Sequence, residues 1–369
     1  MGKDPKEIWE NYKSPAHFIS NHNFDGKKAL AAFLPEKLKE EIGGLRLSKS
    51  KYKNLDDTVL FAIHASRRAA TAAGWNKGDS IGINIGSSRG ATALFEKYHT
   101  EFIKTGLAET ATSPATTLGN ISSWVSYDLK SNGPDISHSV TCSTGLHAIL
   151  NGCAWLGSGM AGKFLAGGSE AALTPFTIAQ MNALRIYAKE EREYPCRALD
   201  MEKITDTMVL GEGAGVVCLE DNPEKPLARI AGIGYATEKV KHSVSISADA
   251  DCLYKSMKMA IGEMSLNDVD VVVMHAPGTV KGDMAELKAV KNLFGKNLPA
   301  LTSNKWKVGH TFGTSGILSL EMAVLMLEHQ EFIAVPFSAI SNPPKRIRNI
   351  LVNAVGFGGN AVSILVNKS

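Results

Sequence analysis

Val140-Thr141-Cys142-Ser143-Thr144-Gly145-Leu146-His147-Ala148-Ile149 is the stretch on which the reading of this chain turns. It reads as a short strand that turns sharply into a helix, with a cysteine at the turn. Leu146, Ile149, Leu150, Cys153, Ala154 and Leu156 recur at helical spacing and give that helix one buried face. Ser143, Thr144 and Gly145 are small, so the turn is tight and leaves room beside the sulfur. A cysteine at a helix N-terminus meets the positive end of the helix dipole, roughly half an elementary charge. That position favours thiolate, the nucleophilic form. A buried structural cysteine fits the same stretch, because free cysteine is among the most buried residue types.

Composition narrows the class. The chain has 369 residues, 44% hydrophobic and 21% charged, enough for a large core in one big domain or two halves. A net charge of +3 gives no electrostatic case for nucleic acid. Five widely spaced cysteines without a CxxC argue against a disulfide framework or a zinc cluster and for a reducing compartment. The first residues, Met1 to Glu7, are charged and lack the apolar segment of a signal peptide. The most apolar run, Ile317 to Leu327, is too short to span a bilayer and contains Glu321. A soluble, cytoplasmic protein is expected.

Working outward from Cys142, Asp4-Pro5 reads as the start of a helix through Trp9 and Tyr12, and Asn21 to Lys27 as a polar turn. Thr58 to Ala73 has helical periodicity. Ser80 to Gly86 is a glycine-bounded strand, and Ala108 to Gly119 a loop. Ser137 to Thr141 is expected as the strand feeding Cys142, and Lys163 to Ala171 as a strand followed by a glycine-rich turn. Val269 to Met274 is a buried strand leading to His275; Gly313 to His329 is a long helix of small and apolar residues. Phe332 to Val335, Asn349 to Val355 and Ala361 to Val366 read as strands. The polar segment Asp221 to Pro226 is the expected boundary between two halves, 1–222 and 223–369. In each half a motif turn leads to a long helix and then a strand, a weak echo of the kind a duplication leaves.

Three motifs follow the cysteine segment in order along the chain: His275-Ala276-Pro277-Gly278-Thr279 with Gly282-Asp283-Met284-Ala285-Glu286; Lys305-Trp306-Lys307-Val308-Gly309-His310; and Gly356-Phe357-Gly358-Gly359; between Cys142 and His275 stand Ala166-Gly167-Gly168-Ser169-Glu170-Ala171 and Gly211-Glu212-Gly213-Ala214-Gly215. In these the chain resembles the β-ketoacyl-acyl carrier protein synthases, the two-histidine condensing enzymes of the thiolase fold, from about Trp9 to the C-terminus. The resemblance implies an α/β fold of two duplicated βαβαβ halves in an α-β-α-β-α sandwich. Members of that family open with a valine-rich strand ahead of the helix that here begins at Asp4. The chain lacks it, which leaves either a start downstream of the true one, the reading favoured here, or a gap in a buried sheet.

The resemblance also implies roles. A Claisen condensation needs a nucleophile to hold an acyl group, and a thiolate suits a thioester. It needs donors for an enolate, and neutral imidazole N–H groups suit that. Cys142 is then the nucleophile, His275 and His310 the enolate-stabilising pair, and the backbone N–H groups of Cys142 and Phe357 the oxyanion hole. Lys305 helps order the site through a carboxylate, for which Glu286 is the match, and Thr279 contacts the pantetheine arm. No cofactor or metal is implied beyond the phosphopantetheine of an acyl carrier protein that brings the substrates. Pro277 and Asn360 stand where the family carries threonine, and Asp206-Thr207-Met208 replaces a gating Asp-Gly-Phe, so entrance and specificity are expected to differ.

The expected partner is an acidic acyl carrier protein, docking on Arg46, Lys49, Lys51 and Lys53 or on Lys345, Arg346 and Arg348. A dimer is expected, with itself or a paralogue. The reaction is expected in fatty acid or polyketide and polyene synthesis. A non-catalytic chain-length partner subunit is the alternative; retention of Cys142, His275, Lys305 and His310 opposes it. A thiolase would need a second catalytic cysteine near the C-terminus, and none follows Cys252.

Overall fold

The computed structural model describes all residues except Lys3, Gly119, 240–246, 341–342 and Ser369. Its strands in chain order are β1 (Ser20–Phe24), β2 (Lys27–Ala32), β3 (Ile81–Gly86), β4 (Asp135–Ile136), β5 (Lys163–Glu170), β6 (Leu210–Gly211), β7 (Gly213–Glu220), β8 (Arg229–Thr237), β9 (Val271–Val273), β10 (Ala300–Thr302), β11 (Asn349–Val355) and β12 (Asn360–Asn367). Two sheets dominate, ordered β4-β3-β5-β7 and β10-β9-β11-β12-β8. The pairing is duplicated. β3 runs parallel to β4 and β5, as β9 does to β10 and β11; β5–β7 and β11–β12 are antiparallel. The internal echo in the sequence thus reflects matched topology, and the architecture is thiolase-like.

Period-2 alternation explains the layering. In β11, Ile350, Val352 and Ala354 join the core between the sheets, while Leu351 and Val355 join the core on the outer face. In β9, Val271 and Val273 point inward and Val272 outward. The inner space is filled by the helices Thr144–Gly157 and Ser315–His329, each touching strands of both sheets. Asp57–Ala72 and Asn120–Leu129 cover the outside of one sheet; Asp251–Ile261, with Val280–Phe294 packed on it, covers the other. With both faces buried, strands read as apolar runs rather than alternating ones.

The two central helices meet where neither has a side chain. A Cβ on Gly145 would lie 2.6 Å from Ile317 Cγ1 and 2.8 Å from Gly313 O; one on Gly316 would lie 2.6 Å from Leu146 Cγ. These contacts bring the start of the Cys142 helix against the start of its counterpart, so the motif turns of the two halves converge.

Several local expectations change. Ser20–Phe24 is a strand, and only Asp25-Gly26, both with positive φ, makes the turn into β2. β5 continues through Gly167 and Gly168 to Glu170, because neighbouring backbone fills the space where a Cβ would stand. Phe332 to Val335 is irregular, and the regular strand before Cys142 is only Asp135–Ile136. The first sheet is continuous in the order β4-β3-β5-β7, and β8, which opens the second half, lies beyond β12 at the edge of the other sheet.

Substituting Gly145 with Val should lower the thermal midpoint by several degrees, in line with about 1–3 kcal/mol for overpacking. Gly44→Ala, on an open helix surface with nothing near its Cβ, should be neutral or stabilising. Equal midpoints for the two variants in a melting experiment would refute the close-contact account.

Candidate active site

Cys142 lies just before Ser143, the N-cap of the helix Thr144–Gly157, and its side chain is buried. Thr141 adopts φ 48, an unusual value for a β-branched residue. It is held from two sides. Thr144 Oγ1 accepts from Val140 N at 2.9 Å and donates to Thr141 O at 2.6 Å. Thr141 Oγ1 donates to Phe357 O at 3.4 Å across the two halves. A Cβ on Gly356 would collide with Thr141 Oγ1 and stand 3.1 Å from Cys142 N, so the loop carrying Phe357 reaches the cysteine turn only because residue 356 is glycine.

His275 follows β9 and His310 follows the short helix Lys305–Val308; their rings meet edge to face at 5.2 Å between centroids. His310 N donates to Val209 O at 2.6 Å and its carbonyl accepts from Gly211 N at 3.1 Å, which ties the histidine to β6. Phe312, at φ 43, turns its N–H onto His310 Nδ1 at 3.0 Å. A backbone N–H only donates, so Nδ1 carries the lone pair and the ring proton sits on Nε2. His275 lacks this fixture. Its Nδ1 is buried with no hydrogen-bond partner among the described residues, and the residue two positions on is Pro277, which has no N–H. The two rings are thus unequal: His310 is held as one tautomer and His275 is not.

Burial keeps both rings neutral. It pulls His310 down to about 3 and His275 well below the ordinary value, with the Lys305 charge pushing both the same way. Burial also lowers Lys305 to about 8, opposed by Glu286 and Cys142. The expected Lys305–Glu286 contact is not an ion pair among the described residues. Glu286 instead accepts from His275 N at 2.9 Å, Ala276 N at 2.8 Å and Asn353 Nδ2 at 3.1 Å. It orders the His275 loop directly and meets Lys305 only through the field between them.

The expected thiolate at Cys142 is also corrected. Burial pushes the thiol up to about 12, Glu170 adds to the rise, and Lys305 and Arg89 oppose it. Desolvation of the buried sulfur is the largest cause and outweighs the pull of the two cations. Thr279 caps the helix Val280–Phe294, its Oγ1 accepting from Gly282 N at 3.1 Å. His147 and His138 are spent on structure, donating from Nδ1 to Ser143 O at 3.1 Å and to Asn84 Oδ1 at 2.8 Å.

Three charged residues without a role in the sequence reading belong to this site. Glu170, buried at the end of β5 and raised by burial to about 7, accepts from Ser87 Oγ at 2.9 Å, Gly313 N at 3.1 Å and Ser88 N. It joins the Ser87-Ser88 loop to the Gly313 turn beside Cys142. Asp283 accepts from Gly278 N and Leu199 N, both at 3.0 Å, and pairs with Lys203 at 2.6 Å in a buried ion pair. Glu170 and Asp283 stand within the quoted motifs, but nothing in the sequence marks Lys203, which comes from a charged loop. Among the described residues no group of three His, Cys, Asp or Glu is placed to hold a metal ion, and no helix is long and apolar enough to cross a membrane.

A buried cysteine, two neutral imidazoles and a glycine loop, contributed by both halves of a thiolase-like fold, define a condensing-enzyme site. The family descriptions "Beta-ketoacyl synthase, N-terminal domain" and "Beta-ketoacyl synthase, C-terminal domain" match residues 2–225 and 227–336, and the chain belongs to the beta-ketoacyl synthase family. A 3-oxoacyl-[acyl-carrier-protein] synthase 2 of Staphylococcus aureus is 28% identical, over 99% of this chain and 97% of its own length. One of the same name from Vibrio harveyi is 27% identical over 87% of this chain and 84% of its own. In shape the chain is similar to the ishigamide ketosynthase/chain length factor (TM-score 0.86, 17% identity, 99% and 95% of the two chains). It is also similar to a type II polyketide ketosynthase in complex with its acyl-carrier protein (TM-score 0.85, 20% identity, 100% and 96%).

Nitrogen NMR of the imidazoles tests the inequality of the rings. His310 should show a bare Nδ1 and a protonated Nε2, unchanged as pH falls until about 3. His275 should show a different tautomer balance. A His310 ring that takes up a proton near pH 6.5, the ordinary histidine value, would contradict the burial argument.

Proposed function

We propose that the protein is a 3-oxoacyl-[acyl-carrier-protein] synthase that performs decarboxylative Claisen condensation with Cys142 as its acyl carrier. The observations that carry this are the meeting of the Cys142 turn with the Phe357 loop, the pairing of the His275 and His310 rings, and the Lys305 charge that acts on the sulfur and on both rings. In the first step Cys142 attacks an acyl thioester. A thiol enters and a carrier thiol leaves, so one S–C bond replaces another with no net change in protons. That exchange suits a cysteine whose resting form is the thiol. The N–H groups of Cys142 and Phe357 face the tetrahedral oxygen as charge gathers on it.

In the second step a malonyl thioester binds with its carbonyl toward the imidazoles. Loss of carbon dioxide leaves the electron pair as an enolate. The Nε2 proton of His310, fixed by the Phe312 N–H, is an aimed donor for the enolate oxygen; His275 is the second donor. Their neutrality matters because a donor that keeps its proton stabilises the enolate without quenching it. The enolate carbon then attacks the acyl group on Cys142, and collapse of the adduct expels the sulfur, which takes up a proton from solvent to return to the thiol, and releases the 3-oxoacyl product on its carrier. Glu286 holds the His275 loop, Glu170 the loops around Cys142, and Thr279 is placed for the pantetheine arm.

For the carrier, the cluster at Arg46 to Lys53 is smaller than its sequence implies. Arg46 is consumed by Lys53 O, Leu55 O and an ion pair with Asp57 at 2.5 Å, and Lys49 turns inward to Tyr52 and the buried Asp128. Lys51 and Lys53 remain exposed, Lys51 lying over the Tyr127 ring near Lys130, and we assign carrier docking to them. Phe95, Phe102, Ile103 and Leu107, on and just after the helix Thr92–Thr105, are exposed apolar side chains of the kind a subunit interface covers, which supports a dimer. Fatty acid and polyketide synthesis are the two settings the relatives' names support.

Cys142→Ala should abolish acyl-enzyme seen by intact mass spectrometry; persistent labelling at another cysteine would overturn the assignment. His310→Ala should still acylate but lose about 10²–10³ in condensation rate. Charge reversal at Lys51 and Lys53 should raise KM for the carrier by about tenfold at low salt, a difference that fades as salt rises. A KM unchanged at every salt concentration would remove this face from docking.

A further inference from the structure

A cation lies against the apolar wall around Cys142. Cys142 packs in a cluster with Leu173, Ile178, Met181, Met208 and Phe312, surroundings that suit an alkyl chain. Arg89 breaks this pattern. Its guanidinium carbon lies 5.1 Å from the centre of the Phe312 ring, and its Nη1 donates to Gln180 Oε1 at 2.7 Å. Phe312 belongs to that cluster, and the helix Pro175–Ala183 that carries Gln180 also supplies Ile178 and Met181 to it, so the cation lies against the wall.

The seat is built. Arg89 follows Ser87 and Ser88, which Glu170 grips through the Ser87 hydroxyl and the Ser88 amide, and Gly90 at φ 65 turns the chain away. Yet the guanidinium itself has no carboxylate partner among the described residues; the Arg89 backbone N–H donates to Ser87 Oγ at 3.3 Å. Its charge is felt at the sulfur, where it favours the thiolate. A guanidinium has five N–H donors, and Gln180 takes one. A plain alkyl chain laid against the rest would strip their water and return nothing. A carboxylate would accept two of them side by side and neutralise the charge.

We propose that Arg89, seated by Gln180 and Phe312 beside Cys142, is a specificity-determining residue that selects acyl groups bearing a carboxylate over plain alkyl chains. This rests on the reading of Cys142 as the acyl-accepting nucleophile. No bond is made or broken at Arg89: it binds the far end of the acyl group while the sulfur takes the thioester carbon.

The test offers the enzyme two carriers of matched chain length, one loaded with hexanoyl and one with adipoyl, and follows acyl transfer to Cys142 by intact mass spectrometry. Wild type should favour adipoyl by about tenfold or more in transfer rate, a ratio read without any variant. Arg89→Leu should reverse the preference, and Gln180→Leu, which loosens the seat but keeps the charge, should narrow it. Equal transfer in wild type, or a preference for hexanoyl, would overturn the proposal. So would an Arg89→Leu variant that slows both chains equally while moving thiol alkylation to higher pH, because Arg89 would then act on the sulfur alone. If neither chain reaches Cys142, the nucleophile assignment falls and this proposal with it.

Discussion

The contact between the Gly356-Phe357 loop and the Thr141-Cys142 turn is the constraint on which the site depends. The two segments come from opposite halves and touch with no space for a side chain at residue 356. Thr141 is held at positive φ, and its hydroxyl reaches the Phe357 carbonyl. Ala276 and Phe312, at φ 25 and 43, flank His275 and His310 in the same way. Backbone in sparsely populated regions persists only where the surroundings over-determine it. Here they do so through two sheets, two buried central helices and a set of carboxylates bound to loop amides.

Those carboxylates are part of the same design. Glu170, Asp283 and Glu286 are all buried, and each accepts two or more backbone N–H groups from a loop that carries a site residue or its neighbour. A buried carboxylate is tolerated only when its oxygens are occupied. The loops therefore satisfy the acids and the acids fix the loops. The imidazoles are treated differently: they are stripped of water and kept neutral, so that a proton remains available for donation.

Much of this was legible in the sequence. The cysteine turn, the two histidines, the glycine loop and the two-half fold all follow from motifs whose residue types are dictated by chemistry or by close backbone approach. The helix start at Asp4-Pro5 was readable because its cap is local: Asp4 Oδ1 accepts from Glu7 N at 2.9 Å. What the sequence hid was set by tertiary context. Nothing local shows that Gly167 and Gly168 lie within a strand, since neighbouring backbone decides that. The thiol of Cys142 follows from burial, which a helix-dipole argument ignores. Glu286 reads as the partner of Lys305 until the loop amides are seen to occupy it. Arg89 carries no motif at all and matters only because Phe312, far along the chain, comes to lie beneath it.

The most direct test of the central claim is a crystal structure of the enzyme carrying a stable acyl group. The account predicts continuous density from Cys142 Sγ, the acyl oxygen within hydrogen-bond reach of the Cys142 and Phe357 backbone N–H groups, and the Nε2 atoms of His275 and His310 facing the open side of the thioester. Acylation at another residue, or an acyl oxygen turned away from both amides with the imidazoles remote from it, would contradict it.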